Sequence, residues 1–193
     1  MLDSKCKKCR RIGEKLFLRG EKCFGPKCPL SRKPYAPGIF GKTKRKRGKK
    51  GLSEYAIQLR EKQKMKLTYG IQERQFSNYL KEANKKGKGD AGARLLELLE
   101  LRLDNVVFRL GLAESRAKAR QIVSHGHIMV NNRKANIPSF RLRVGNKISI
   151  KPQSINKGFL KDIDIKLKKY NPPSWIKFDK NKKEGEIMGR PKI

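Results

Sequence analysis

The sequence predicts an α+β protein with a metal-bound N-terminal knuckle, a small helical domain, and a module of two helices followed by a small antiparallel sheet. Three observations support this prediction. All four cysteines lie in two close pairs between residues 6 and 28. Apolar residues recur with helical spacing from residue 53 onward, and period-two alternation replaces that spacing after residue 127. Composition places the domains at 1–50, 51–92, 93–155 and 156–193.

The chain is strongly basic, with 50 Lys and Arg against 17 Asp and Glu and a formal net charge of +33. Residues 1–50 hold 18 basic and 3 acidic side chains, so nearly half of the excess lies in the first quarter. So many like charges repel one another and destabilise the isolated fold, which predicts a polyanionic partner, either nucleic acid or an anionic membrane surface. No apolar run would span a bilayer and no signal peptide is recognisable, so we expect an intracellular, reducing location.

The four cysteines follow the spacing C-x2-C, thirteen residues, C-x4-C. Two close pairs joined by a short loop predict a tetrahedral metal site, with zinc as the first choice. An iron–sulfur cluster uses the same ligands and is the main alternative, while disulfides or a catalytic thiol fit a reducing location less well. Four protein ligands leave no open position, so the metal would be structural. The predicted ligands are Cys6, Cys9, Cys23 and Cys28.

The metal would fold a segment that has little apolar core of its own. That segment would present Arg10, Arg11 and Arg19, together with the aromatic residues Phe17, Phe24 and Tyr35. The stretch "KTKRKRGKKG" follows it, with seven Lys or Arg in the ten residues 42–51. It predicts an arm that becomes ordered on nucleic acid, and a solvated linker is the alternative. The candidate contacts in the arm are Lys44, Arg45, Lys46 and Arg47.

Two helices are predicted after the arm. The first begins at the N-cap Ser53 and stops at Gly70, with Tyr55, Ala56 and Leu59 on one face. The second carries an apolar stripe at positions i, i+3, i+4 and i+7, which predicts ordinary core packing. The stripe consists of Phe76, Tyr79, Leu80 and Ala83.

The third segment predicts a helix from Ala93 to Leu110 and a second helix from the N-cap Ser115 to Gly126. Ala119, Ile122 and Val123 are expected to face inward. Alternation then predicts a hairpin that turns at "NN", residues 131 and 132, and a strand pair in "FRLRVGNKISI", residues 140–150. Beyond residue 151 the pattern indicates a weak helix over 158–170 and a short strand in "PPSWIKFD", residues 172–179.

Arg116 and Arg120 are four residues apart and share one face of the second helix, with Lys118 on its flank. A helix edge followed by a hairpin predicts an L-shaped cationic groove suited to an RNA backbone. A solvated face is the alternative, but Arg133, Arg141 and Arg143 would extend the same charge. His125 and His127, beside Gly126, have no acidic or Cys neighbour in sequence. We therefore expect them to stabilise the turn or contact phosphate.

The stretch "RLDNVVFRLGLAESRAKARQIVSHGHIMVNNRKANIPSFRLRVGNKISI" closely resembles the RNA-binding module of the ribosomal protein S4 family. The resemblance extends to "KPYAPGIFG", to "LSEYAIQLREKQKMKLTYGIQERQF" and to the four-cysteine N-terminus, so it covers most of the chain. Similar modules occur in pseudouridine synthases and tyrosyl-tRNA synthetases. The combination of the module with the other segments is therefore more specific to the S4 family than the module alone. The residues that match the family's RNA-facing module are Ser115, Arg116, Lys118, Arg120, His125, Gly126 and His127.

The resemblance implies a primary binder of the 5′ domain of small-subunit ribosomal RNA that nucleates assembly of the subunit body. It also implies contact with neighbouring small-subunit proteins at an interface linked to translational accuracy, a place near the messenger RNA entry path and, in some relatives, self-repression. No enzymatic activity and no membrane partner are expected. The bias toward Lys, Ile and Asn suggests a bacterial or plastid source, with the protein bound to ribosomes in the cytoplasm in the bacterial case.

Two other classes of protein remain as alternatives. An RNA-modifying enzyme with this module as an appendage would need a separate catalytic domain, and the remaining residues are too few and too basic to supply one. A DNA-binding zinc protein would need a finger with two Cys and two His ligands or a recognition helix, and the sequence shows neither pattern.

Overall fold

The computed structural model describes residues 4–42, 53–85, 90–154, 167, 170–179 and 182–191. The chain divides into two compact units, residues 1–73 and 74–193. The predicted boundaries at residues 50 and 155 lie next to or inside ranges that are not described, as do the basic arm and most of the predicted helix over 158–170. The four-part division of the chain therefore stays a prediction.

The first unit is helical. Its helices are α1 (Lys5–Ile12), a 3-10 helix (Gly20–Cys23), α2 (Pro29–Arg32) and α3 (Glu54–Tyr69). One buried cluster in the described part of this unit consists of Cys9, Ile12 and Leu16. Leu18, Leu30 and Leu67 pack against this cluster and are themselves only partly buried. Cys23, Cys28, Tyr69 and Ile71 are also buried.

The predicted ends of α3 are confirmed. The hydroxyl of Ser53 accepts a hydrogen bond from the backbone N–H of Ala56, and Gly70 ends the helix in the left-handed region at φ 64°. Lys62 and Lys66 then pair with Glu73 after the turn, and their hydrogen bonds lower the pKa of Glu73 to about 2. Tyr55, on the face proposed from the sequence, is 73% exposed.

Four helices follow: α4 (Glu73–Lys85), which starts at the last residue of the first unit, α5 (Ala91–Glu100), α6 (Leu103–Arg109) and α7 (Arg116–Ser124). The predicted stripe of α4 is confirmed, since Phe76 and Ala83 are buried and the other two members are half-buried. The inward face of α7 is also confirmed, because Ala119, Ile122 and Val123 are buried.

The single helix predicted from Ala93 to Leu110 is wrong. Helix α5 ends at Glu100, the backbone of Arg102 is extended, and α6 starts at Leu103. Backbone hydrogen bonds with a distant segment cause the break: the N–H of Leu103 donates to the carbonyl of Phe140, and the N–H of Leu142 donates to the carbonyl of Leu101. The module therefore has three helices, α5 to α7, before its sheet, rather than the two that were predicted.

A five-stranded antiparallel sheet follows, with strand order β2-β1-β3-β5-β4. Its strands are β1 (Ile128–Val130), β2 (Arg133–Ala135), β3 (Lys147–Ile150), β4 (Ile176–Asp179) and β5 (Glu184–Ile187). The predicted "NN" turn is confirmed, because Asn131 and Asn132 both have positive φ, at 47° and 62°. That combination is typical of a two-residue hairpin whose twist matches its strands.

The sequence predicted only some strands of this sheet. The strand in residues 172–179 is confirmed as β4, whereas β5 had no sequence prediction. In "FRLRVGNKISI" only Lys147–Ile150 is a strand, and the earlier half makes a single isolated bridge between Arg141 and Arg102. Leu142 is buried, but Phe140 and Val144, in the same phase, are exposed.

The main hydrophobic core lies in the second unit, between the helices and the sheet. It includes fully buried side chains of α6, α7 and the strands, among them Leu103, Val106, Val123, Ile148 and Ile187. The predicted α+β class is therefore confirmed. Within the ranges that the structure describes, no helix is both long and apolar enough to cross a membrane.

Strand β5 packs closely on α6, which predicts a large effect of a small substitution. A Cβ atom at Gly185 would lie 2.4 Å from Cδ2 and 3.3 Å from Cγ of Leu110, which is fully buried. We expect Gly185→Ala to lower the free energy of unfolding by about 1–3 kcal/mol, because the core must shift to admit the methyl group. Urea unfolding followed by the fluorescence of Trp175, which packs on this core, measures the change.

Gly189→Ala is the matched control, because a Cβ at Gly189 meets no atom within 4 Å. This variant should stay within about 0.5 kcal/mol of the parent. Equal effects of the two substitutions would contradict the packing of β5 on Leu110.

Candidate nucleic-acid interface and cysteine pocket

The four cysteines line one open pocket in the first unit. Helix α1 places Cys6 and Cys9 about one turn apart, the 3-10 helix ends at Cys23, and Cys28 immediately precedes α2. Cys9, Cys23 and Cys28 are buried, Cys6 is half-buried, and all four are free thiols. The structure thus brings together every cysteine that the sequence proposed as a ligand.

Basic groups face the sulfur atoms of this pocket. The backbone N–H of Arg19 donates to Sγ of Cys23 at 3.4 Å, and Nη1 of the same residue donates to Sγ of Cys6 at 3.6 Å. Burial raises the pKa of Cys9, and the backbone hydrogen bond at Leu16 opposes that effect. Proximity of the other three cysteines also raises the pKa of Cys9, because several thiolates would repel one another.

Two observations bear on whether this pocket suits a metal ion. In the part of the chain that is described, no three His, Cys, Asp or Glu side chains are grouped closely enough to hold one. The donor chemistry nevertheless fits, because four unoxidised thiols open onto one pocket beside the Arg19 guanidinium. Soft thiolates of this kind suit zinc or an iron–sulfur cluster.

Arg10 organises the segment that follows the pocket. Its Nε donates to the carbonyls of Lys33 and Tyr35 at 3.2 and 3.0 Å, and its guanidinium lies 4.9 Å from the Tyr35 ring centroid. The ammonium of Lys42 lies 5.7 Å from the same ring. The structure therefore gives Arg10 and Tyr35 a local structural role, whereas Arg11 is exposed. Lys44, Arg45, Lys46 and Arg47 lie outside the described residues.

Helix α7 begins as predicted at Ser115, whose hydroxyl accepts a hydrogen bond from the backbone N–H of Lys118. Lys118 is exposed. Gly126 follows the helix with φ 71°, and a Cβ there would lie 2.4 Å from Cε of Lys134. The Lys134 side chain therefore crosses from β2 to the end of α7. It joins the helix and the hairpin at one place, and sequence reasoning missed it.

The two histidines lie on either side of that glycine. His125 is exposed and its ring centroid lies 6.0 Å from that of His127 in an edge arrangement. Nδ1 of His127 lies 3.0 Å from the Ser154 hydroxyl, and the backbone carbonyl of His127 accepts from the N–H of Lys151. These bonds support the turn-stabilising role expected of His127.

The structure ties Arg120 and Arg116 to buried polar side chains. Nε and Nη2 of Arg120 donate to Oδ2 of Asp104 at 2.9 and 2.6 Å. Nε of Arg116 donates to Oδ1 of Asn105 at 2.7 Å, and its guanidinium lies 4.7 Å from the Phe108 ring centroid. The Arg116 and Arg120 side chains remain 18% and 35% exposed. They are therefore both structural links and candidate RNA contacts.

Asp104 and Glu100 are the acidic centres of this network. Asp104 also accepts two hydrogen bonds from Arg102, at 3.1 and 2.9 Å, and Arg102 reaches the Tyr79 hydroxyl of α4 at 2.7 Å. Glu100 accepts two from Arg109, at 2.9 and 2.7 Å. Both carboxylate side chains are only 4% exposed. Sequence reasoning missed these two carboxylates, although an acidic residue within an otherwise apolar helical face can indicate a buried ion pair.

The remaining predicted arginines differ in their surroundings. Arg141 makes two hydrogen bonds to Glu82 of α4, at 2.6 and 2.7 Å, so that part of its charge is neutralised within the protein. Arg133 on β2 and Arg143 before β3 are exposed. The outward-facing candidates in the second unit are Lys118, His125, Arg133 and Arg143.

Comparison with known proteins finds two family models and many relatives that match this chain. The family model described as "Ribosomal protein S4/S9 N-terminal domain" matches residues 1–100, and the "S4 domain" model matches residues 101–148. Proteins named "Small ribosomal subunit protein uS4" are 47% identical over 190 residues in Syntrophomonas wolfei and 50% identical over 186 residues in Desulfitobacterium hafniense. These alignments cover 98% and 96% of this chain and 88% and 86% of the relatives.

The Asp104 network predicts a large loss of stability when its charge is removed. In Asp104→Asn the guanidinium of Arg102, which is 3% exposed, would remain buried without its carboxylate. We expect the free energy of unfolding to fall by about 3–5 kcal/mol. Urea unfolding at neutral pH, monitored by Trp175 fluorescence, measures this change in the free energy of unfolding.

The matched control is Glu82→Gln, which breaks a pair whose side chains are 41% and 34% exposed. Solvent screens that pair, so this change should cost no more than about 1 kcal/mol. If Asp104→Asn were as mild as the control, the network would not hold the helices together.

Proposed function

The chain belongs to the ribosomal protein S4 family, and on that premise we propose that it is a structural, RNA-binding component of the small ribosomal subunit. The match of the S4 domain to residues 101–148 carries this proposal, because these residues form α6, α7 and the hairpin with their cations. The protein is a structural RNA binder and not an enzyme. It acts bound to the ribosome, and its partners are small-subunit ribosomal RNA and neighbouring ribosomal proteins.

The S4 module would recognise RNA through its backbone and shape. Lys134 lies against Gly126, so it continues the cationic side chains of α7 toward the hairpin. A helix edge beside a short hairpin suits the phosphates of an A-form helix, because the deep, narrow major groove of such a helix keeps side chains away from the bases. Such contacts fix the register of the protein on the RNA without reading individual bases.

The resemblance to the family supports a more specific proposal for the RNA site and for the role of the protein in the subunit. We propose that the RNA site lies in the 5′ domain of small-subunit ribosomal RNA and that binding there nucleates the subunit body. Contacts with a neighbouring protein would then influence translational accuracy, and part of the surface would lie near the messenger RNA entry path. The charge of +33 supports an RNA-bound state, because phosphates would neutralise a self-repulsion that the isolated chain must bear.

We also propose that Cys6, Cys9, Cys23 and Cys28 hold one zinc ion, with an iron–sulfur cluster as the alternative. A bound metal would link α1, the 3-10 helix and the start of α2. The described apolar cluster beside the cysteines, Cys9, Ile12 and Leu16, is small, and this supports the proposal because a segment with little core gains most from a structural ion. The raised pKa of Cys9 means that binding would release a proton from this thiol, so zinc affinity should fall as the pH is lowered.

A competition experiment tests the ribosomal assignment. The full chain would bind labelled 5′-domain RNA at about 200 mM salt against an unrelated folded RNA of equal length. We expect a preference of roughly a hundredfold or more, because non-specific binding should be near ~10⁻⁴ to 10⁻⁶ M under these conditions. Equal competition would reduce the protein to a general cationic RNA binder.

Variants of the same protein would identify the surface. Replacing both Arg133 and Arg143 by Gln should flatten the dependence of log K on log salt by roughly one to two charge units. Replacing Lys177 and Lys182 by Gln removes the same charge, but these lysines line a shallow pocket with three carboxylates, and the slope should change less. Identical slopes for the two double variants would argue against the hairpin surface.

The metal assignment has a separate test. We expect about one zinc per purified chain, and an absorption band near 400 nm would indicate the iron–sulfur alternative instead. Chelation or Cys9→Ser should increase amide hydrogen exchange in residues 4–35 and leave the 101–150 module protected. Loss of protection in both regions, or in neither, would contradict a metal that folds only the cysteine segment.

A further inference from the structure

Phe17 and Phe24 form an exposed aromatic pair beside the cysteine pocket. Their ring centroids are 4.8 Å apart and the two rings are tilted by 30°, within the range of favourable aromatic pairs. Phe24 is 72% exposed and Phe17 is 45% exposed. Neither ring is among the side chains that pack on the cluster of Cys9, Ile12 and Leu16. Core packing therefore does not account for the pair.

The backbone that holds the two rings together is strained at Phe17. Phe17 has φ 49°, in the left-handed region that bulky residues rarely adopt. The carbonyl of Phe17 accepts from the N–H of Gly20, which starts the 3-10 helix, and the N–H of Phe24 bonds back to Glu21. Because Leu16 and Cys23 are buried at the two ends of this turn, the rings that follow them are directed outward. A strained residue held by its surroundings indicates a functional position.

The surroundings of the pair are cationic. The loop from residue 15 to 28 contains one acidic residue, Glu21. A Cβ at Gly25 would meet no atom within 4 Å, so there is open space next to Phe24. The exposed cations of the loop are Lys15, Arg19, Lys22 and Lys27.

We propose that Phe24, supported by Phe17, is a stacking platform for an unpaired nucleobase of the bound RNA. Aromatic faces within a cationic surface are the usual means of holding single-stranded nucleotides, because the base stacks while the cations contact its phosphates. A protein partner fits less well, since lysine is depleted from the centres of protein interfaces. This inference rests on the proposed function and adds a base contact to a surface otherwise expected to bind phosphates.

The test compares Phe24→Leu, which keeps the apolar volume but loses the π-face, with Phe24→Trp, which keeps a ring. Binding of the full-length chain to 5′-domain RNA should weaken roughly tenfold to hundredfold for Leu and stay near the parent for Trp. The salt slope should not change, because no charge is removed. Tyr55→Leu is the matched control, an exposed aromatic residue of α3 in the same unit, and it should bind like the parent.

Ultraviolet cross-linking gives an independent measurement of the same contact. RNA containing 5-iodouridine should cross-link to the tryptic peptide of residues 23–27, which contains Phe24. Parent-like binding by Phe24→Leu or an equal loss in Tyr55→Leu would overturn the stacking proposal. Failure of the proposed function is distinct, because the parent protein itself would then show no preference for the ribosomal fragment.

Discussion

Two buried carboxylates in a chain of net charge +33 organise the second unit. Asp104 binds Arg102 and Arg120, and Glu100 binds Arg109 and lies 3.9 Å from Arg116. Their arginines come from α6, α7 and the turn that precedes α6, so the acids define how these helices meet. Removing water from a charge is costly unless a partner replaces it, and here each carboxylate has two cationic partners. The sheet packs on helices whose positions these ion pairs fix.

The same network bears on the two arginines of α7 that are proposed to contact RNA. Each buried acid neutralises one of two nearby guanidiniums, so each cluster retains a net positive charge at its partly exposed edge. Arg116 and Arg120 are already held by intramolecular hydrogen bonds, so any phosphate contact that they make would cost less side-chain entropy. The intramolecular pairs would also give such a contact a defined direction. Exposed side chains such as Arg143 contribute charge without the same fixed geometry.

Local signals in the sequence predicted the parts of this fold that depend on local chemistry. Ser115 caps α7, and the two asparagines at 131 and 132 make the hairpin turn, because these residue types suit those backbone positions in isolation. The break between α5 and α6 has no such signal, since neither Gly nor Pro occurs near Leu101. Hydrogen bonds to Phe140 and Leu142 override the helical periodicity there. The intramolecular partners of Arg116 and Arg120 were missed for the same reason, because they depend on tertiary contacts.

The ion pairs of the two units differ in how deeply they are buried. The second unit has a large apolar core, so it can bury acids and use them to neutralise arginines within the fold. In the described part of the first unit, one buried cluster consists of Cys9, Ile12 and Leu16, and the acidic groups Glu14 and Glu73 pair with lysines at half-exposed positions. Solvent screens these pairs, so they contribute little to stability. The metal and the RNA phosphates proposed above would each add stability to this unit on binding, the metal at the thiols and the phosphates at the cations.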